Sequence, residues 1–305
     1  MVFMDYRLQV FCEVATQQSI SNAAKRLCIS QPAVTQHIKL LEETFKTPFF
    51  IRSRHGMTLT EAGVILLGHA RQVAALEEKV TEKLHQPHQP FYGRLRLGTS
   101  NTITQYYLPK ILAHFKKQHP NVTIEILGGN STSTIGSLLD HRIDIGLIEG
   151  PCRRRDLRVR PFFEDEIVAI ASPKNLLSKK RSVSLKELRD APFIFREQGS
   201  GTRQYVEEHL QQIKIPIKQL HIIQELPSTE AIKRVVALNM GLGFVSRLSL
   251  SQEITNGTLS VLNIPRLKIH RHFSTILSLG PDPIGLRQIF LKQLEHHSKT
   301  SKLLL

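Results

Sequence analysis

Between the apolar run APFIFRE and a helical pattern, the chain carries Gly199-Ser200-Gly201-Thr202-Arg203. Glycines let the backbone curl, a helix N-terminus offers partial positive charge, and Arg203 adds a full one. That chemistry suits a small anion, although Ser200 would serve a plain helix cap in the same way. Two shorter segments repeat the arrangement. Ser100-Asn101-Thr102 follows the strand pattern RLRLGTS, and Asn130-Ser131-Thr132 follows VTIEILGG. Each sets hydroxyls and backbone N–H groups where a strand gives way to a helix. Arg196 and Glu149 are candidates either for the same cleft or for halves of structural ion pairs. A different chemistry is spaced along residues 30–54. Gln31, Pro32, Thr35, Gln36 and Lys39 lie off the apolar stripe of one helix, and Arg52 and Arg54 follow on a short hairpin. Amide and hydroxyl side chains at the start of a helix read base edges in a major groove, whereas arginines beside it suit phosphates.

Other chemistries find no matching residues. GSGTR contains no Gly-x-Ser-x-Gly elbow, and GLGF at 241–244 lacks the third glycine and downstream acid of a dinucleotide fingerprint. His296-His297 lies in a polar tail without a carboxylate or cysteine set, and Cys12, Cys28 and Cys152 have no metal-ligand spacing. The expectation is a protein that binds rather than catalyses, with no cofactor, no metal and reduced thiols.

The elements that position these residues follow from periodicity. Leu8, Phe11, Val14 and Ala15 form the stripe of a first helix, and Ile20, Ala23, Ala24 and Leu27 that of a short second one. After a turn at Cys28-Ile29, Ser30 caps a third helix, with Pro32 tolerated in its first turn and Val34, Ile38, Leu41 and Phe45 as its buried stripe. Two helices about a tight turn, the second presenting a polar face, are a helix-turn-helix. FFIRSRHGMTL then predicts two strands around His55-Gly56, a wing. The bland alternative is a three-helix bundle with solvated basic residues. Thr60 can cap a long helix to about residue 85. Leu66, Val73 and Val80 recur on it every seven residues, with Leu76 and Leu84 near the same seam, as in a two-helix dimer contact. His69 and Lys83 make the seam imperfect, and packing on the chain's own C-terminal part is the alternative. QPHQPFYG (86–93) breaks the helix as a hinge.

From Gly93 strands alternate with helices, which implies a mainly parallel sheet with ligand groups at strand ends. The pattern predicts an α/β domain of two lobes joined by strands near 161–166 and 265–270, with a cleft between them. The expected organisation is a winged helix-turn-helix (1–59), a linker helix and hinge (60–90) and the effector part (91–305). Lobe I would take about 91–164 and 268–305, and lobe II 165–267. A final helix is expected through about His296.

At 305 residues the chain suits two or three domains, and its net charge of +15 suggests a polyanionic partner. Residues 1–90 hold ten Lys and Arg against eight Asp and Glu, so most of that charge lies in the C-terminal part. Charge alone would put nucleic acid on the wrong half, and the motifs decide instead. No apolar run reaches the eighteen residues of a membrane helix, and the N-terminus lacks a secretion pattern, so a soluble, cytoplasmic protein is expected. A two-lobed solute-binding receptor is the rival class, but it would carry an export signal and no winged helix.

SISNAAKRL, ISQPAVTQHIKLLEE, PFFIR and LTEAG, in that order and spacing over residues 19–63, resemble the DNA-binding domain of LysR-type transcription regulators. The likeness continues through YYLP, IDIGLIEGP, EDEIVAIAS, FREQGSGTR and GLGFVSRLS to cover nearly the whole chain. It is nearest to a branch that controls sulfur assimilation and sulfite reduction, and other relatives control carbon-fixation genes. The resemblance implies base contacts from Gln31, Pro32, Thr35 and Gln36. It also implies an interrupted palindromic promoter site, a dimer or tetramer, contact with RNA polymerase, and a small-molecule effector with a periplasmic-binding-protein-like fold around it. The family commonly has a basic residue where Gln36 stands, and Gln favours adenine where Arg favours guanine.

Overall fold

The computed structural model describes residues 4–53, 56–84, 91–280 and 282–301. The chain divides into two compact units, residues 1–89 with 140–142, and 90–139 with 143–305.

In the first unit α1 (Tyr6–Gln17), α2 (Ile20–Leu27) and α3 (Gln31–Phe45) each begin on a side-chain cap. Asp5, Ser19 and Ser30 accept from the backbone N–H groups of Arg7, Asn22 and Ala33, removing one orphan donor per helix. Val10, Phe11 and Val14 of α1 meet Ala23 and Ala24 of α2 and Val34, Ile38 and Leu41 of α3 in one core. The alanines keep α2 close to its neighbours. Phe45, expected in this stripe, is instead 55% exposed, because α3 has run past the core by its last turn and only the edge of Phe49 reaches the ring. β1 (Phe50–Ser53) and β2 (Gly56–Leu59) pair antiparallel, with Arg52 opposite Met57. Arg54 and His55, the expected wing tip, lie outside the described residues. Glu42 of α3 fixes the hairpin by accepting from the N–H groups of Phe49 (2.7 Å) and Phe50 (3.3 Å).

α4 (Glu61–Leu84) starts at Thr60, whose hydroxyl donates to the Pro48 carbonyl (2.8 Å) and accepts from Gly63 N–H (3.0 Å). Leu67 and Ala70 are buried and Leu66 is partly buried against the unit's own core, while Val73, Leu76 and Val80 are exposed. The first of the seam leucines therefore also serves its own unit. Of the expected hinge, residues 86–90 lie outside the described residues.

The second unit is a mixed sheet with helices. Its first lobe holds β3 (Gly93–Ser100), β4 (Val122–Gly129) and β5 (Ile145–Ile148), with α5 (Leu108–Gln118) and α6 (Ser131–Leu139). The helical stretch after β3 opens with a π-helical turn, Ile103–Tyr107, ahead of α5. β6 (Leu157–Ala171) leads into the second lobe. There α7 (Leu185–Asp190), β7 (Pro192–Arg196), α8 (Gly201–Gln212), β8 (His221–Leu226), α9 (Thr229–Ala237), β9 (Leu242–Ser246), α10 (Ser251–Thr255) and β10 (Ser260–Val261) follow. β11 (Ile269–Ser278) returns, and α11 (Gly285–Ser301) runs five residues beyond the expected His296.

The strand order is β4-β3-β5-β11-β6-β9-β7-β8, with β10 on β6. β4-β3-β5 and β9-β7-β8 are parallel sets, and the long antiparallel pair β6–β11 joins them. Each set has its own core, one around Phe115, Phe163, Phe273 and Phe290, the other around Phe193, Phe195 and Phe244. In parallel strands that share a direction, the C-terminal ends and the loops beyond them collect on one edge, where ligand groups gather.

Two glycines of α4 differ in their surroundings. A Cβ on Gly63 would lie 2.2 Å from the Phe49 carbonyl oxygen, whereas one on Gly68 would meet nothing within 4 Å. Gly63→Ala is expected to destabilise by about 1–3 kcal/mol, and Gly68→Ala to stabilise by roughly 0.5–1 kcal/mol through helix propensity. Urea denaturation midpoints of the two variants should move in opposite directions.

Candidate functional site

The recognition face is built by α3. Gln31, Pro32, Thr35, Gln36 and Lys39 are all exposed, on the side opposite buried Val34, Ile38 and Leu41. Gln31 Nε2 donates to the Ser21 hydroxyl (3.1 Å), which ties the start of α3 to α2, and Thr35 Oγ1 donates to the Gln31 carbonyl (3.1 Å). Lys39 stands 3.7 Å from Glu43, a solvent-exposed pair that water screens. Gln36 heads the exposed surface with a donor and an acceptor on one planar amide, the pattern that matches an adenine edge. Arg52 is exposed on β1.

In the second unit, β3 and β4 are in register to Ser100/Gly129, and β3 and β5 from Leu97/Ile145 to Thr99/Leu147. The chain thus leaves the three strands at Asn101, Asn130 and Glu149 on one sheet edge. Ser100 and Thr102 are fully buried, and neither hydroxyl has a hydrogen-bond partner among the described residues. Buried hydroxyls without partners are uncommon and point to a partner that the fold itself does not supply. Asn101 Nδ2 donates to the Pro227 carbonyl after β8 (2.8 Å), and the Tyr106 hydroxyl bonds Glu230 of α9, so both bind the first lobe to the second. Burial and the Glu230 carboxylate push the Tyr106 phenol well up, which keeps it a donor.

The second seam between lobes lies at Asn130 and Gly199. Asn130 Nδ2 reaches Glu197 and the Gln198 carbonyl, both at 3.3 Å, and Thr132 N–H donates to the Gly199 carbonyl (3.3 Å). Ser131 is buried and accepts from Gly150 N–H (2.9 Å), while the Thr132 side chain is exposed. Gly199 has φ +83°, a left-handed conformation that a side chain would strain. Gly201 lies so close to the end of β5 that a Cβ there would fall 2.3 Å from the Gly150 nitrogen. Ser200 caps α8 through Arg203 N–H, the bland role weighed from sequence, and its own hydroxyl proton remains available.

The two predicted arginines are held in ion pairs, the alternative that the sequence left open for Arg196. Arg203 packs over Phe195 and is held by Glu207 (2.7 Å), Glu225 (2.7 Å) and the Arg196 carbonyl (2.8 Å). Arg196 spends Nε and Nη2 on Glu197 and Nη1 on Thr229. Both guanidiniums are already matched, because an arginine buried beside β7 needs carboxylates and carbonyls to be tolerated there. The expected full charge at the 199–203 turn is therefore replaced by hydroxyls and backbone N–H groups.

Sequence reasoning passed over Arg271. It is wholly buried, donates from Nε to Asp165 (2.7 Å) and from Nη1 to Thr202 (3.0 Å), and lies 3.4 Å from Glu149. Ser246 donates to the second oxygen of Asp165 (2.7 Å). The signal was present in HRHF: the alternation that buries Ile269 and Phe273 buries residue 271 as well, and an arginine on that face requires an acid.

These two units match two family models in chain order. The model of the bacterial regulatory helix-turn-helix protein, lysR family, covers residues 6–64, and that of the LysR substrate binding domain covers 88–290. The chain belongs to the LysR family. As a LysR-type chain it is 31% identical over 296 residues to the HTH-type transcriptional regulator CysL of Bacillus subtilis, covering 97% of this chain and 98% of that one. Its second unit is similar to the CcmR regulatory domain of Synechocystis, solved in complex with 2-PG, at 28% identity and a TM-score of 0.62. That match covers 68% of this chain and 98% of the other. A full-length OxyR from Pseudomonas aeruginosa shares the fold at 19% identity and a TM-score of 0.75, over 96% of this chain and 93% of that one. The LysR chain described here is accordingly a DNA-binding transcription regulator with a two-lobed effector-binding domain, in a family of regulators rather than enzymes.

The buried ion pair gives a sharp contrast within this regulator. Arg271→Met strands Asp165 and Glu149 without a counter-charge and is expected to cost about 3–5 kcal/mol. Arg203→Met should cost clearly less, since Glu207 and Glu225 are 33% and 46% exposed and can be solvated. Chemical denaturation followed by circular dichroism compares the two.

Proposed function

We propose that this regulator is a cytoplasmic homo-oligomer that reads an interrupted palindrome through Gln31, Pro32, Thr35 and Gln36. Lys39, Arg52 and Arg54 would contact phosphates, and a small oxyanion or carboxylate at the interlobe edge would modulate the response. The exposed Val73, Leu76 and Val80 on α4 support pairing of two chains, which would present two recognition helices to half-sites related by a two-fold axis. RNA polymerase is the expected further partner at the promoter. No described helix is long and apolar enough to cross a membrane.

The observation that carries the effector reading is the pair of buried, partnerless hydroxyls at Ser100 and Thr102. Ser131 opens α6 just after β4 and Thr202 lies in the first turn of α8, and the N-terminus of this twelve-residue helix adds its dipole. Asn101, Asn130 and Thr132 frame the edge as lobe-to-lobe contacts. The relative named CysL and the CcmR domain solved with 2-PG make small sulfur or phosphorus oxyanions and short carboxylates the first compounds to try. An effector acts on DNA affinity only if it distinguishes two arrangements of the protein.

Two measurements test the proposal. On the promoter site next to its own gene, Gln36→Ala should cost roughly 1–3 kcal/mol and relax one base preference. Arg52→Ala should weaken specific and random DNA alike and flatten the salt dependence by about one phosphate contact. Equal losses for both variants on both DNAs would reverse the assignment. In a thermal-shift screen of sulfate, sulfite and short carboxylates, saturation at one hundred times the dissociation constant adds about 2.7 kcal/mol. Ser100→Ala and Thr102→Val should each weaken the best binder about tenfold, a hydrogen bond's worth to a charged group, and unchanged binding would move the site elsewhere.

A further inference from the structure

Glu149 follows directly on the last residue of β5, and it is fully buried. Neither of its carboxylate oxygens has a hydrogen-bond partner among the described residues. Among the described residues its charged neighbour is Arg271 Nη2 at 3.4 Å, a nitrogen that itself makes no hydrogen bond. Nε and Nη2 both stand 2.7 Å from Asp165, and Nη1 donates to Thr202. Asp165 in turn receives Ser246 on its other oxygen. The cluster therefore holds two buried carboxylates for one arginine, and the arginine's hydrogen bonds go to Asp165 and Thr202 and none to Glu149. A buried carboxylate without donors is costly unless something else supplies them.

The position of Glu149 says what that could be. Gly150, the next residue, bonds Ser131, and Arg271 bonds Thr202, so Glu149 is one residue from two members of the proposed anion set. The register of β3 and β5 brings Asn101 and Glu149 off the same sheet end, next to partnerless Ser100 and Thr102. Hydroxyls can donate to an acid group. As a carboxylate, Glu149 can only accept, and a negative charge there would repel a bare oxyanion.

We propose that Glu149 is a specificity-determining residue of this site: its carboxylate takes a hydrogen bond from the effector, which is a small acid carrying a hydroxyl or ammonium group. This rests on the interlobe reading above and narrows its ligand class. Sulfate, sulfite and unsubstituted carboxylates offer the hydroxyls an acceptor but leave Glu149 unsatisfied. A hydroxy acid or an amino acid satisfies both.

The test uses the full chain and matched probes that differ only in the donor: lactate, alanine and propionate, and malate, aspartate and succinate, with sulfate and sulfite alongside. Calorimetry should show the hydroxy or the amino member of a series binding about tenfold or more tightly than its donor-free partner. Which of the two wins separates a hydroxyl from an ammonium. In Glu149→Gln the ratio should collapse to within about threefold and sulfate should gain affinity, since the repelling charge is gone. Ser100→Ala is the control for general damage to the site and should weaken both members of a pair while leaving their ratio. Donor-free acids or sulfate binding the wild type as tightly as the hydroxy and amino acids would overturn the proposal while leaving the anion site standing. A ratio that survives Glu149→Gln would do the same. Silence from every probe at millimolar concentration would overturn the anion site and this proposal together.

Discussion

Arg271 heads the fully buried side chains by size, and it sits on the strand pair that joins the lobes. Its register partner across β6–β11 is Asp165, so the ion pair is made between the two crossing strands themselves. From there Nη1 reaches Thr202 at the start of α8. One guanidinium thereby fixes the crossing strands to each other and to the helix whose N-terminus faces the first lobe. A buried charge is tolerated only when its geometry is satisfied. Any rearrangement of the lobes must keep this pair whole or replace its contacts, which makes it a constraint on motion as well as on stability.

Around that constraint, polar groups are distributed unevenly. Arg196, Arg203 and Lys233, the buried cations of the second lobe, are each neutralised by carboxylates within a few ångströms. The hydroxyls of Ser100 and Thr102 and the carboxylate of Glu149 have no hydrogen bonds among the described residues. Satisfied groups stiffen the lobes, and unsatisfied ones mark where binding energy is to be gained. At the proposed site a ligand would meet neutral donors and one acceptor rather than the paired arginines.

The DNA-reading unit follows a simpler logic. Small residues on α2 let α1 and α3 close on one core, and Glu42 anchors the wing's first strand through two backbone N–H groups. The recognition face is what remains when that core is satisfied. Its polar residues are exposed because Val34, Ile38 and Leu41 point the other way.

The helices and strands were legible in the sequence because their signals are local. Ser30 and Thr60 sit where caps must sit, and the apolar periods of α1 to α4 select one face each. The helix-turn-helix, wing and alternating α/β lobes follow from those periods, and so does the grouping of polar residues at the ends of β3, β4 and β7. Pairing across distance was not legible. Whether Arg203 faces a ligand or Glu225, and whether Ser100 finds a partner, depends on residues far apart in the chain. Phe45 fits the apolar period and is exposed, because the period fixes the face while the neighbouring helices fix how far the core extends. Arg271 and Asp165 are 106 residues apart in sequence. Only the antiparallel closure of β6 on β11 brings their charges within hydrogen-bond reach, and burial then makes that contact obligatory.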